Sequence, residues 1–471
     1  MSIRRQAALV FCILMFSYSY VHQRLGWNQN SRLDLLRALF LHHTFAIDAD
    51  QENTGDKAIH NGHYYSDKAP GVVFLAAPAF SLSISILHAG DVPLDSPKAW
   101  LISSWITTAC SVGLITALGG VAIFLFLCRL VGGRYALPTT LAVFLGSSPF
   151  PYATMLFSHA AVIGLLCIAL WAIADEVCGC RGDAATAGSA TGERPKPWLK
   201  RYLLAGLCCG FAISSEYTAA IAAGGVLALA MLAGFKRSLV LALAAVPPLL
   251  LIPAYNWACF GSPLVFGYHN LALPEFQEMN KGLFGITFPP KLSSAYLILL
   301  SPERGLFFWT PFFVMSLFGL KRLFRTSGSL FWCCLLVVVL QILAISGYYM
   351  PSGGSALGAR HLAPMLPFAA VMAAFGVREY PRLGVAYGLF SVAITGLATL
   401  IEAMPPEKPS ELLLQFYLPQ LIHGELAHQA GSHFGLPFPI GLAVIVGVLF
   451  LPFVGSWVGV SKLQSLQIES R

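Results

Sequence analysis

Long runs of apolar residues, separated by short charged interruptions, repeat along nearly the whole chain. About 20 apolar residues are enough for a helix to cross the hydrocarbon core of a bilayer. On that rule the pattern predicts about twelve spans. They fall near 7–23, 99–127, 136–153, 157–175, 202–219, 220–235, 238–256, 305–320, 328–347, 361–377, 383–403 and 437–457. The expected fold class is therefore all-α, a polytopic membrane bundle forming a single domain over 1–471. Three outer segments, 24–98, 257–304 and 404–436, are long enough to carry a site. The Gly-, Ala-, Thr-, Ser- and Pro-rich stretch 181–197 reads as a flexible inner linker. The first run follows Met-Ser-Ile-Arg-Arg without a small-x-small cleavage site after Tyr20, so it is read as a span.

Composition excludes a soluble class. Hydrophobic residues make up 56% of the chain and charged residues 11%, with a mean hydropathy of +0.70. A soluble domain is typically about 25% charged, because its surface must face water. The net charge of +7 is no nucleic-acid signal; its placement along the loops is what informs. When the apolar stretch 71–88 is kept at the outer interface, the short inner loops become uniformly basic. They hold Arg4 and Arg5, Arg129 and Arg134, five charges between Arg181 and Arg201, and Lys236 with Arg237. Lys321, Arg322 and Arg325, Arg378 and Arg382, and Lys462 and Arg471 complete the set, 18 of the 29 Lys and Arg. That is the positive-inside pattern. Both termini are then cytoplasmic, and the acidic long loops face outward.

Of the eleven cysteines, most lie in or beside apolar runs, so no disulfide is expected. Cys178-Gly179-Cys180 lacks the second ligand cluster that a zinc site needs. No Walker or dinucleotide glycine motif is present.

The first outer loop carries the densest chemistry. In Asn30–Leu39, Leu33, Leu36 and Leu39 recur at helical spacing and predict an amphipathic helix along the membrane, with Arg32 and Asp34 near its start. The plain alternative is an acid stabilising a helix N-terminus beside a solvated arginine. Two doublets follow, Asp56-Lys57 and Asp67-Lys68, around Tyr64-Tyr65. Lysines at a bilayer surface can simply snorkel to the headgroups. Here, however, acids, bases and tyrosines converge at headgroup depth. A carboxylate there can deprotonate an acceptor hydroxyl, and a lysine can neutralise a departing phosphate.

Other polar residues sit at the outer ends of helices. His159 opens the fourth span, and Glu216-Tyr217 interrupts an apolar run. An ionisable residue at membrane depth is a functional hypothesis by default, with a pairing to a neighbouring helix as the alternative. Tyr268 and Arg304 bracket the second outer segment. Gly353-Gly354 and Gly358-Ala359-Arg360-His361 precede the tenth span. Gly-rich backbone beside an arginine can cradle a phosphate or be a bare turn.

At SRLDLLRAL, TGDKA with NGHYYSDKAPG, FGSPLVFGY, SPERGLFFWTPF and GGSALGARHLAPMLPF the chain resembles the GT-C superfamily of membrane glycosyltransferases. It looks most like relatives of the protein O-mannosyltransferases and the lipid A aminoarabinose transferases. The resemblance implies a first helix, a long outer loop with interfacial helices, and further spans in an inner (plasma) membrane. It implies transfer of a hexose or pentose from a polyprenyl-phosphate donor to a glycan, lipid or protein acceptor on the extracytoplasmic face. Nucleic acid is not an expected partner. A divalent metal is left open, and no other cofactor is implied.

Arg32 matches the arginine of the family's first outer helix. The acidic positions before it are Gln29 and Asn30, which leaves the base to Asp34 or Asp56. Asp67-Lys68-Ala69-Pro70 matches the acid-Lys-Pro motif, with Lys68 on the carrier phosphate and Asp67 positioning a metal or the acceptor. His159 stands where relatives often carry a second acid. The expected donor-phosphate residues are Arg32, Lys57, Lys68, Arg304 and Arg360. Tyr64, Tyr65, His159, Glu216, Tyr268 and His361 are expected to bind the acceptor or support the site. A lipid-linked-glycan transporter or flippase, and a glycan polymerase or ligase, are the rival readings.

Overall fold

A computed structural model describes residues 1–179 and 198–453, apart from 409, 434, 438 and 452. The expected linker 181–197 and Cys180 lie outside these residues. The chain is overwhelmingly helical, and its few strands are two to four residues long. Six described helices are long and apolar enough to cross a membrane, namely Gly71–Ala89, Pro97–Val131, Phe235–Phe260, Gly328–Ser346, Arg360–Glu379 and Pro381–Ile401. Ser158–Ala172, Ala219–Leu232 and Pro439–Leu451 are apolar but shorter.

The difference from about twelve has local causes. Helices Ile3–Tyr20 and Trp198–Ser215 each begin with a basic pair, Arg4-Arg5 and Lys200-Arg201, which lowers their hydropathy. The run 305–320 breaks at Thr310-Pro311 before helix Val314–Thr326 resumes. The run 136–153 stops at Leu145 and restarts at Pro149. Proline lacks the amide that would continue the ladder. The stretch 71–88 forms one continuous helix of span length.

Helices pack closely where side chains are small. A Cβ on Gly119 would collide with the backbone of Gly164, so helices Leu114–Val131 and Ser158–Ala172 touch backbone to backbone. Small residues at such crossings are the usual means of helix association in lipid, where no hydrophobic drive separates tail from Leu. Outward, Leu239, Leu243, Leu250 and Trp257 of one helix and Trp332, Leu336 and Leu340 of another are exposed. Apolar belts of this extent on a chain this poor in charge mark a lipid-facing surface. The nine cysteines whose side chains are described are free thiols.

The segment 24–98 is more deeply packed at its start than an amphipathic pattern suggests. Helix Trp27–Leu41 buries both its leucines and its charges, Arg32 and Arg37 included. The plain alternative of a solvated Arg32 is thus corrected. Arg37 bonds Asp50 at 2.9 Å and Asp95 at 2.7 Å, and lies over Trp100 with 4.4 Å to the ring centroid. That one guanidinium ties the helix to the middle and the far end of the segment 24–98.

Candidate active site

After helix 27–41 the chain forms a hairpin, Lys57–His60 paired antiparallel with His63–Ser66. Asn61 and Gly62 turn it with positive φ at both positions, 51° and 83°. Asn-Gly suits that turn because both residues tolerate left-handed backbone. The register pairs Lys57 with Ser66, so the residues just outside the ladder, Asp56 and Asp67, emerge side by side. Their carboxylates converge on one ammonium. Lys68 Nζ lies 3.1 Å from Asp56 Oδ2 and 3.2 Å from Asp67 Oδ2.

The surrounding fold fixes this end of the hairpin. Tyr255 donates its hydroxyl to the Ser66 carbonyl at 2.8 Å, and the Ser31 and Ser66 hydroxyls bond at 2.7 Å. Gly267 of the FGSPLVFGY motif packs on Asp67, where a Cβ would come within 2.8 Å of the Asp67 Cα.

These residues open onto a cavity of 820 Å³. Arg32, Asp56, Asp67, Lys68, His159, Glu216, Tyr268, Arg360 and His361 all line it. Residues scattered over 330 positions of sequence are thus gathered in one place. Arg32 donates to the Asn28 carbonyl at 2.7 Å and reaches Ser158 Oγ at 3.5 Å. Ser158 in turn donates to Glu216 Oε2 at 3.2 Å. Arg32 and Arg360 both approach the Phe157 ring, 6.0 and 5.4 Å from its centroid. Several buried polar atoms here have no hydrogen-bond partner among the described residues. They are Arg32 Nε, Asp67 Oδ1, both ring nitrogens of His159, and Arg360 Nε. A buried orphan costs about 1–3 kcal/mol, and such atoms gathered at one cavity mark a place where a ligand restores the balance.

Burial raises the Asp67 carboxyl to about 6, although Lys68 pulls it back. Burial also lowers the Arg32 guanidinium, opposed by Glu216, Asp56 and Asp67. Among the described residues no three His, Cys, Asp or Glu side chains gather as a metal-ligand group. The Asp56 and Asp67 carboxylates instead share the single Lys68 ammonium.

Five expected site residues lie off the cavity lining. Lys57 turns away, bonding the Gln51 carbonyl at 2.7 Å and lying over Tyr64, 4.9 Å from its centroid. Tyr64 and Tyr65 flank the hairpin, Tyr65 against Phe260 with centroids 5.6 Å apart. Arg304 is 0% exposed and donates to the carbonyls of Glu303 at 3.0 Å and Gly354 at 3.1 Å. It thus braces the glycine loop, in which Gly353 and Gly354 have φ of 76° and 68°. The loop, not Arg304, reaches the cavity.

Asp34 is the fifth. It sits in the third turn of helix 27–41, fully buried, with Oδ1 accepting from the Asn53 amide at 3.4 Å and Oδ2 unpaired. Neither the helix N-terminus nor the cavity touches it. Burial raises its carboxyl to about 8; the Asn53 bond, Arg37 and Lys57 offset this only in part. In an unfolded chain the group titrates near 3.9. The folded state therefore holds a proton that the unfolded state releases, and stability falls as pH rises from about 4 to 8. Asp34→Asn is expected to raise the melting temperature at pH 7–8 and flatten its pH dependence over that window, with transfer chemistry retained. Thermal unfolding in detergent across pH checks this; a lower melting temperature at pH 8 refutes it.

Arg24, Asn28, Glu275, Glu402 and Glu407 also line the cavity. None falls in a motif. Only Glu402, an acid at the end of an apolar run, gave a readable signal.

Fold and site together define a helical membrane protein with a large, densely charged cavity beside the segment 24–98. No family model and no curated protein sequence matches the chain. It is similar to solved structures of ArnT from Cupriavidus metallidurans. The apo form has a TM-score of 0.48 at 15% identity, covering 97% of this chain and 76% of that one. The form bound to undecaprenyl phosphate has a TM-score of 0.48 at 13% identity, covering 98% and 72%. It is also similar to the oligosaccharyltransferase AglB from Archaeoglobus fulgidus in complex with an inhibitory peptide and a dolichol-phosphate. There the TM-score is 0.44 at 14% identity, covering 96% of this chain and 56% of that one.

Proposed function

We propose that the protein is an integral membrane glycosyltransferase that moves a sugar from a polyprenyl-phosphate donor to an acceptor hydroxyl on the extracytoplasmic face. The observation that carries the reading is Lys68 held between Asp56 and Asp67 on a cavity that Arg32 and Arg360 also line. Three cations and adjacent carboxylates match a phosphate that departs while a hydroxyl loses its proton. The resemblance to the GT-C motifs points to Arg32, Asp67 and Lys68 as well, and the basic short loops support an outward-facing site.

The acceptor oxygen attacks the anomeric carbon as Asp56 takes its proton. The bond from that carbon to the phosphate oxygen breaks, and its electron pair stays on the phosphate. The products are an inverted glycoside and polyprenyl phosphate. Lys68, Arg32 and Arg360 stabilise the charge that gathers on the leaving oxygen. Asp67 orients Lys68, and Arg304 holds the glycine loop. Asp56 is the base of choice over Asp67 because its carboxylate is more open, 13% against 1% exposed.

Purified protein in liposomes, supplied with labelled undecaprenyl-phosphoryl sugars and an envelope extract as acceptor, is expected to give sugar transfer with release of undecaprenyl phosphate. Movement of label across the vesicle without transfer, or growth of a glycan chain, replaces this reading with the transporter or the polymerase.

A further inference from the structure

His159 is the cavity residue with the least evident purpose. Its ring is 3% exposed, packed among Tyr152, Phe157 and His361 at centroid separations of 5.4, 5.9 and 5.5 Å. Both nitrogens are buried, and neither has a hydrogen-bond partner among the described residues. Glu216 lies close by, with Nε2 and Oε2 3.9 Å apart, beyond a hydrogen bond. Ser158 fixes that same carboxylate oxygen from the other side.

A neutral imidazole presents one N–H donor and one lone pair, while a carboxylate only accepts. A phosphate oxygen can use only the donor. A hydroxyl can do more, accepting from the imidazole N–H and donating to the carboxylate at once. The 3.9 Å gap between the two groups leaves room for one oxygen to bond both. Three cations stand ready for the phosphate, so the histidine–glutamate pair is left over as a polyol-reading group.

Resting on the reading of the site as a sugar transferase, we propose that His159 and Glu216 together bind a hydroxyl of the sugar on the donor, and so set which sugar is accepted. The carrier phosphate lies on the Lys68, Arg32 and Arg360 side, and the sugar ring extends from it towards His159. A site built to hydrogen-bond a hydroxyl discriminates strongly against an analogue lacking it, because its buried polar groups are then left unpaired.

The test compares binding of bare undecaprenyl phosphate with binding of a panel of undecaprenyl-phosphoryl hexoses and pentoses, in wild type, His159→Phe and His159→Gln. Wild type is expected to prefer some glycosylated carriers over the bare one. His159→Phe is expected to weaken those carriers roughly ten- to hundredfold and leave the bare carrier unchanged, which also reports an intact fold. His159→Gln, which keeps a donor and an acceptor, recovers part of the loss. Equal weakening of bare and glycosylated carriers, no change in either, or a wild type without sugar preference overturns the assignment. A wild type that binds no carrier at all overturns the transferase reading itself.

Discussion

Replacing Lys68 with alanine is expected to lower sugar transfer by about a thousandfold or more. A single fixed group stabilising transition-state charge is worth about 10²–10³ in rate, and Lys68 has a second task. Its ammonium separates two carboxylates that would otherwise face one another in a poorly hydrated pocket. Without it, like charges at close range cannot both stay ionised, so one acid is protonated and the surviving field opposes an incoming phosphate. Binding of the donor and the chemical step should therefore fail together. Lys68→Arg keeps the charge but not the compact ammonium geometry, and should fall between alanine and wild type. Transfer by Lys68→Ala within about threefold of wild type would remove the clamp from the mechanism.

Asp56→Asn is expected to lower kcat by roughly 10²–10³, the usual worth of a positioned general base, while donor binding changes little. Asparagine retains the shape and a contact with Lys68 but accepts no proton. Asp67→Asn should behave differently. Asp67 is almost wholly buried beside the ammonium, so its loss should disturb Lys68 and weaken donor binding along with rate. Single-turnover assays with saturating donor, set against equilibrium binding of undecaprenyl phosphate, separate the two variants. If Asp56→Asn keeps full kcat, the proton has another destination, and Glu216 on the same cavity is the first place to look.

The helical plan was largely readable from hydropathy, because apolar runs in a chain this poor in charge have few alternatives to a membrane helix. Where a run falls short of one unbroken apolar helix of span length, a proline within it or a basic pair beside it is the cause, as at Thr310-Pro311 and Lys200-Arg201. The site was legible as a set of residue types and illegible as an arrangement. Asp56 and Asp67 drew notice as repeated Asp-Lys doublets, but only the hairpin register shows that their acids share one lysine and that Lys57 turns away. The Asn61-Gly62 turn was the available signal for that hairpin. Asp34 shows the limit of periodicity, which gives a residue's face and not what later packs against it. Asn53 and the rest of the loop cover that face from 19 residues further on. Glu275 and Glu407 reach the cavity from segments without pattern, so nothing local could have singled them out.

The two-residue turn at the hairpin tip also fixes a stride. Eleven positions separate one aspartate from the other, and the ladder between them admits no slack, since a single inserted residue would slide one doublet past its counterpart and aim every alternate side chain at the wrong face. A flexible loop can lengthen or shorten at little cost. The interval from Asp56 to Lys68 cannot, which makes it a ruler for judging whether a distant sequence still builds the same clamp.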